Sequence, residues 1–446
     1  MKQNIKNIIA IGIVVSVMNS SIVPVFAVDN TSSNESESTI SYSNDENNSK
    51  TVQSGQNVAG KKALKLNDAI NAAISNSDKF ALKSQEILHY RNKEDLQKKS
   101  TDFDKSIAAN NYSDDVYDYP YDKLELQEKQ TKQSQEFMED QIASDITNKY
   151  NDMVLKQIDI GKSKRNLELK KNDLNSLNGK LSLGMATSNE IDDAQIEIKS
   201  LQDEISSKEN ALNDAEDYFK VLTDLDLKDT YILDYEMDYT KFKIDGSVDE
   251  YIDDRLNSYF EYDDKILDLT KDYMKNLKDE GIKDVMNEEI PTAPKASDYM
   301  TTDTNGNATL DSGKYALGLI AYEQKELKYY NDLNSYGSYL DGKYQYDESK
   351  VKLDDTKKNL KNILKQNYST LIDIENKIDT LKEQVNSTDI KLKFAKAQVD
   401  MGLILQNDYD KQVLASEDLD TSLRKLVYAH NNLRDSIQKP WILSNQ

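Results

Sequence analysis

The side chains that carry most enzyme and metal chemistry are scarce in this 446-residue chain. Cysteine is absent, which excludes thiolate metal sites, a thiol nucleophile, a disulfide frame and a lipid-modified cysteine anchor. Histidine occurs twice, at His89 and His430, and no histidine–glutamate metal helix, serine elbow or phosphate-cradling glycine loop accompanies it. Asp303, Asn305 and Asn307 have the opening spacing of a calcium loop. Ala308 stands where that loop needs glycine for its turn, and Lys314 where a bidentate glutamate closes the site. The stretch reads as a plain loop. No catalytic residue, metal or cofactor is expected, and the chain does not read as an enzyme.

Charge narrows the partners. Eighty Asp and Glu residues against fifty-seven Lys and Arg leave a formal charge of -23, which repels nucleic acid and anionic membrane surfaces. Acidic faces of this kind also keep exposed helices in solution. Only 37% of residues are apolar while 31% are charged, a balance that suits long helix seams better than a thick core.

Residues 1–27 have the form of a secretory signal peptide: Lys2 and Lys6, an apolar run over residues 8–17, and Val25-Phe26-Ala27 as a small-residue cleavage site. Residues 28–60 are rich in Ser, Asn, Asp and Glu and read as a disordered tether, because they bury too little to offset ordering entropy. No later segment is apolar enough for a transmembrane helix, so an extracytoplasmic location without one is expected.

The rest of the chain is organised by an internal repeat. Shifted by 218 positions, Leu183-Gly184-Met185 falls on Met401-Gly402-Leu403. Before the first glycine, Ile146, Met153, Ile160, Leu167, Leu174 and Leu181 recur every seven residues. Their counterparts Leu364, Leu371, Ile378, Val385, Leu392 and Val399 are all apolar. Ile191, Ile198, Ile205, Leu212 and Phe219 continue the period after the turn, answered by Leu419, Leu423, Leu426, Leu433 and Ile437. Strict seven-residue spacing implies helices supercoiled against partners. The glycines supply the positive φ that ends one helix and starts the next. His430 falls at the counterpart of Leu212, on the seam, and reads as a packed histidine.

Two long helices are therefore expected, over 124–181 and 351–399, with return helices to about 222 and 433, their starts assisted by Asn189 and Asn407. Each repeat opens with a shorter helix; Asn67 is placed to cap the first of them. The repeats span 61–228 and 246–441, the second with an insertion at about 278–346. Two connectors precede the long helices. In one, Tyr117, Tyr119 and Tyr121 alternate with polar residues around Pro120. The other reads as a short helix over 315–333, then a hairpin turn at Asp341-Gly342. A membrane-spanning barrel strand needs about 9–11 residues with an outward apolar face. Neither connector supplies one, so no complete barrel is expected in lipid.

Leu64, Leu66, Asp68, Ala69, Ile70, Ala73, Ile74 and Asn76 resemble the opening helix of TolC-like outer-membrane efflux proteins. The two glycine turns, each followed six positions on by an acid, resemble that family's tip turns, and the order of elements is repeated as it is there. The resemblance covers nearly everything from Lys61 to Trp441. It implies an all-α fold of duplicated coiled-coil hairpins closed into a hollow α-barrel, here with short or vestigial β connectors. It also implies a homotrimer, docking of the tip turns Leu183-Gly184-Met185 and Met401-Gly402-Leu403 to an envelope adaptor or inner transporter, and efflux or secretion through the tunnel. By position, Glu190 and Asp408 match the acid that narrows the tunnel mouth. Asp193 matches a second such acid, whose counterpart here is Lys411. The weak connectors suit a divergent member from a cell without an outer membrane. A different class fits the same heptads: a secreted structural or adhesive coiled coil that does not transport.

Overall fold

The computed structural model describes residues 61–107, 112–302 and 306–445. The segments read as signal peptide and tether, and Asp303 and Asn305 of the calcium-loop-like stretch, lie outside the described residues. In chain order the elements are β1 (Lys62–Leu64), α1 (Leu66–Asn76), α2 (Asp78–Ile107), α3 (Asp114–Ser182), α4 (Ser188–Thr223), β2 (Tyr231–Leu233), α5 (Val248–Tyr259), α6 (Glu261–Asp279), β3 (Met300–Thr302), β4 (Ala308–Leu310), α7 (Ser312–Asp400) and α8 (Gln406–Gln438), with short 3-10 turns at 284–287, 296–299 and 440–445. Each strand has three residues. β1 pairs with β2 in parallel and β3 with β4 antiparallel, so the described residues contain no strand long enough to cross a bilayer. Among the described residues, no helix is long and apolar enough to do so either.

The chain divides into two compact units, and each draws on both sequence repeats. The larger comprises 61–84, 133–259 and 360–445 among the described residues. Its core is built from residues 218 apart that are buried alike. Ile146, Met153 and Phe219 are enclosed in one cluster, while Leu364, Leu371 and Ile437 are as fully enclosed in the other half. Tyr150 fastens the first cluster to the parallel strands: its hydroxyl lies 2.6 Å from the Leu64 carbonyl and accepts the Asp234 N–H at 2.7 Å. Burial pushes the Tyr150 phenol up, so it stays protonated and able to donate. Along both long helices the seam is fully buried at the end far from the glycine turns. It is only half-buried at Leu167, Leu174 and Leu181 and at Val385, Leu392 and Val399.

The smaller unit comprises 85–132 and 260–359. Val116, Tyr119, Tyr273, Met274, Leu277, Ile282 and Tyr339 form its core. Tyr119 stacks on Tyr273 at 3.8 Å between ring centroids, with its hydroxyl 3.2 Å from Thr270 Oγ1. This core explains two departures from the sequence reading. Residues 114–122 are helical, because Val116, Tyr119 and Lys123 fall on one helical face and are all buried. Pro120 sits in the second turn and leaves the Val116 carbonyl without its i→i−4 donor, a local cost that the buried face of Val116, Tyr119 and Lys123 outweighs. Asp341-Gly342 makes no hairpin either: α7 runs unbroken from 312 to 400. Tyr322, Tyr329 and Tyr336 are half-buried at seven-residue spacing, and Tyr339, Ser349 and Leu353 are buried on the same side. That face outweighs the roughly 1 kcal/mol that a mid-helix glycine costs. The second connector's strands are instead β3 and β4, outside the stretch read as a hairpin.

Candidate functional site

The two glycine turns close by the same hydrogen bonds. Gly184 has φ +71° and Gly402 +72°. At the first turn the Gly184 N–H donates to the Leu181 carbonyl and the Met185 N–H to the Lys180 carbonyl, both at 2.9 Å. At the second, Gly402 donates to Val399 and Leu403 to Gln398, both at 2.8 Å. This is the Schellman arrangement, which satisfies the last helical carbonyls and needs a left-handed residue where glycine stands. A Cβ on either glycine would meet nothing within 4 Å, so the positive φ alone excludes other residues.

The flanking side chains are largely open to solvent. Leu183 and Met185 are 75% and 72% exposed, Met401 and Leu403 65% and 68%, and Leu405 adds another open apolar residue. Two compact turns thus present large apolar side chains to solvent on backbone pinned by hydrogen bonds. Large apolar side chains held open in this way are candidates for contact with another surface.

The candidate acids occupy different settings. Glu190 closes a capping box at the start of α4: its carboxylate accepts from the Thr187 N–H at 2.6 Å, and its own N–H reaches Thr187 Oγ1 at 3.4 Å. The backbone hydrogen bond from Thr187 holds the Glu190 carboxyl below its ordinary range. Asp193, one turn on, and Asp408, in the first turn of α8, are exposed. Asn189 is not the cap, because Thr187 takes that role. At the second turn Leu405 holds the N-cap position without a capping side chain. Asn407 points away from its own helix end and donates to Asp173 Oδ1 at 2.6 Å. Asn67 likewise lies inside α1, whose N-cap is Lys65 with no side-chain bond.

Sequence reasoning missed the charged clamp between α3 and α8. Asp173 accepts from both Asn407 and Lys411, the latter at 3.0 Å, and Arg165 pairs with Glu417 at 2.5 Å. Lys411, which breaks the repeat of acids, is therefore engaged in holding one hairpin to the other. It missed as well the partner of His430. That ring is fully enclosed, with Nε2 3.0 Å from Glu375 Oε1, and the same oxygen accepts the Phe242 N–H at 2.7 Å. Glu375 stands four residues after seam residue Leu371. Nothing in the heptad pattern marks it as the acceptor that lets a histidine replace a leucine.

No family model and no curated protein sequence matches the chain. Among solved structures, the Campylobacter jejuni CmeC outer membrane channel superposes with a TM-score of 0.51 at 13% identity, over 85% of this chain and 86% of that one. The outer-membrane channel OprN gives 0.53 at 9% identity, over 86% and 94%. At such identities the likeness speaks for the fold, and the order of short helix, long helix, glycine turn and return helix, twice over, agrees with it. The chain has the helical fold of the TolC-like outer-membrane channels.

Proposed function

We propose that this protein is the conduit component of an envelope export system. In this reading an oligomer, a homotrimer by likeness to the family, encloses a helical tunnel and docks an adaptor or inner transporter through its hairpin tips. The observation that carries the reading is the pair of Schellman-closed tips bearing Leu183, Met185, Met401 and Leu403 in the open. Unspent apolar surface on rigid backbone costs solubility unless something covers it. The half-buried seams leading to both tips are consistent with neighbouring copies lying alongside. Glu190, Asp193 and Asp408 stand on the return helices beside the tips, where carboxylates of several copies would narrow a tunnel mouth to anions. An extracytoplasmic location follows from the signal-like first 27 residues. The three-residue strands favour a second reading, a secreted coiled-coil structural protein, because they supply no barrel among the described residues.

The tips separate the two. Gly402→Val forces a β-branched residue to positive φ, a local strain of about 1–3 kcal/mol, while the buried seams keep bulk helicity. Met401→Asp with Leu403→Asp removes the apolar contact without strain. Both variants, at wild-type protein levels, are expected to lose export and co-purification of envelope partners. Unchanged export and partner recovery in both would set the conduit reading aside in favour of the structural one.

A further inference from the structure

Between β2 and α5, residues 234–247 form no helix or strand, and they cross from the first repeat to the second within the larger unit. The end near β2 is fastened to α3: the Tyr150 hydroxyl accepts the Asp234 N–H, and the Tyr235 hydroxyl donates to Gln157 Oε1 at 2.7 Å. The far end is fastened to α7 and α8. Glu375 Oε1 accepts the Phe242 N–H at 2.7 Å, Lys241 pairs with Asp379 at 2.6 Å, and the Asn431 amide donates to the Asp238 carbonyl at 3.0 Å. Shifted by 218 positions, Gln157 falls on Glu375 and Leu212 on His430. An acceptor thus stands at the equivalent place at each end of this strap. In the first repeat it is an amide with a leucine at the neighbouring seam position; in the second it is a carboxyl with an imidazole, and only that pair can titrate.

Hydrogen-bond geometry selects one state of that pair. His430 is fully enclosed, with Nε2 3.0 Å from Glu375 Oε1 and Nδ1 3.2 Å from Asn431 Oδ1. The Asn431 amide nitrogen is committed to the Asp238 carbonyl, so an oxygen, which can only accept, faces Nδ1. A neutral imidazole has one N–H and one lone pair, and at one of these contacts it would set the lone pair against an oxygen. An imidazolium donates at both. Glu375 Oε1, as a carboxylate oxygen, then receives the ring and the Phe242 N–H together.

We propose that the His430 imidazolium and the Glu375 carboxylate form a proton-operated latch, which holds the 234–247 strap on the second hairpin and releases it as pH rises. The other charged and titratable groups around the ring have partners or stay neutral. Tyr239 of the strap packs 5.0 Å from the ring, and burial, with Glu375 and Asp379 nearby, pushes its phenol up, so it stays neutral. Lys382 of α7 lies over the Tyr239 ring, and Asp379 is taken by Lys241. On α3, Asn148 bonds Asn432, and the adjacent Lys149 pairs with Asp145. On α5, Asp253 pairs with Lys361, and on α8 itself Arg434 pairs with Asp435. The protonated ring meets its two acceptors only in the folded strap, so the hold is fully present in acid and is lost as pH rises. Loss of the proton sets a lone pair against an oxygen and leaves the buried Glu375 charge without the cation it faces. Every contact lies within one chain, so the latch stands apart from the conduit reading.

The scarcity of histidine makes the test direct. The other one, His89, is exposed on α2, so His89→Gln in the full-length chain leaves His430 as the sole imidazole signal. NMR of its ring nitrogens from acid to alkaline pH is paired with hydrogen exchange of segments 238–245 and 231–236, each corrected for the intrinsic pH dependence of exchange. The expected result is an imidazolium signal in acid, with protection at 238–245 falling by about tenfold or more as that signal is lost. Protection at 231–236, beside the end held by Gln157, should stay level. His430→Leu combined with Glu375→Gln installs the first repeat's own pair. It keeps an acceptor for the Phe242 N–H and should make protection at 238–245 independent of pH. A neutral ring in acid while the strap is protected would overturn the latch, and so would an equal fall in both segments. A double variant whose pH profile matches that of the parent chain would overturn it as well.

Discussion

Glu375, buried, and Asp263, half-buried, illustrate how single carboxylates shape this helical protein. Glu375 accepts from the Phe242 N–H and lies 3.0 Å from the enclosed His430 Nε2, one helical turn on from buried Leu371. Glu375→Ala strands a backbone donor and a ring nitrogen together. It should cost about 1–3 kcal/mol, read as a lowered denaturant midpoint, whereas Glu375→Gln keeps an acceptor and should cost less. Equal loss in the two variants would show that the hydrogen bonds contribute little. Asp263 is governed by burial, reinforced by Asp264 beside it, which pushes its carboxyl up to about 6 despite a hydrogen bond from Gln130 and nearby Lys357. The folded chain thus binds this proton more tightly than the unfolded chain does. Stability is highest below the ordinary carboxylate range and falls as pH rises from there through about 6. Thermal melts of Asp263→Asn should show a smaller difference between pH 5 and pH 7 than wild type, and an unchanged difference would refute the assignment.

At the scale of elements, the seams and turns were legible in the sequence because they rest on periodicity and on one residue type with one special φ. Ile146, Met153, Leu364 and Leu371 are buried where the seven-residue pattern placed them, and Gly184 and Gly402 have the positive φ that the turn required. What escaped depended on contacts distant in sequence. Tyr119 looked like one member of a strand-like alternation, because its stacking partner Tyr273 lies 154 residues away. Asp341-Gly342 looked like a turn because local chemistry cannot show that Tyr339 will be buried against Leu277. The helix caps failed for a smaller reason. Thr187 and Asn189 are both capable caps, and only the capping box with Glu190 selects the threonine. Continuity of α7 through the second connector yields a prediction. Gly337 lies inside that helix with nothing within 4 Å of where a Cβ would go. Gly337→Ala should therefore stabilise the protein by about 0.5–1 kcal/mol, seen as a higher denaturant midpoint. A loss of stability would argue that the chain turns there after all.

The whole molecule combines a net charge of -23, three-residue strands and exposed apolar residues at both hairpin tips. In the proposed function, the exposed apolar tips would be covered by a partner and the half-buried seams by copies of the same chain. The candidate acids were legible only through resemblance, since an exposed carboxylate in a first helical turn is equally explained by the helix dipole. Glu190 serves its own helix through the capping box, and in the proposed conduit it would present a preset, hydrogen-bonded carboxylate. The central claim is that copies of this chain enclose a tunnel. Single-particle imaging of the purified full chain, in detergent-free buffer, tests it most directly. The expected image is a closed ring of helical hairpins around an open, water-filled lumen with the glycine turns at one end. A single hairpin bundle, or an oligomer whose helices close onto a solid apolar centre, would contradict it.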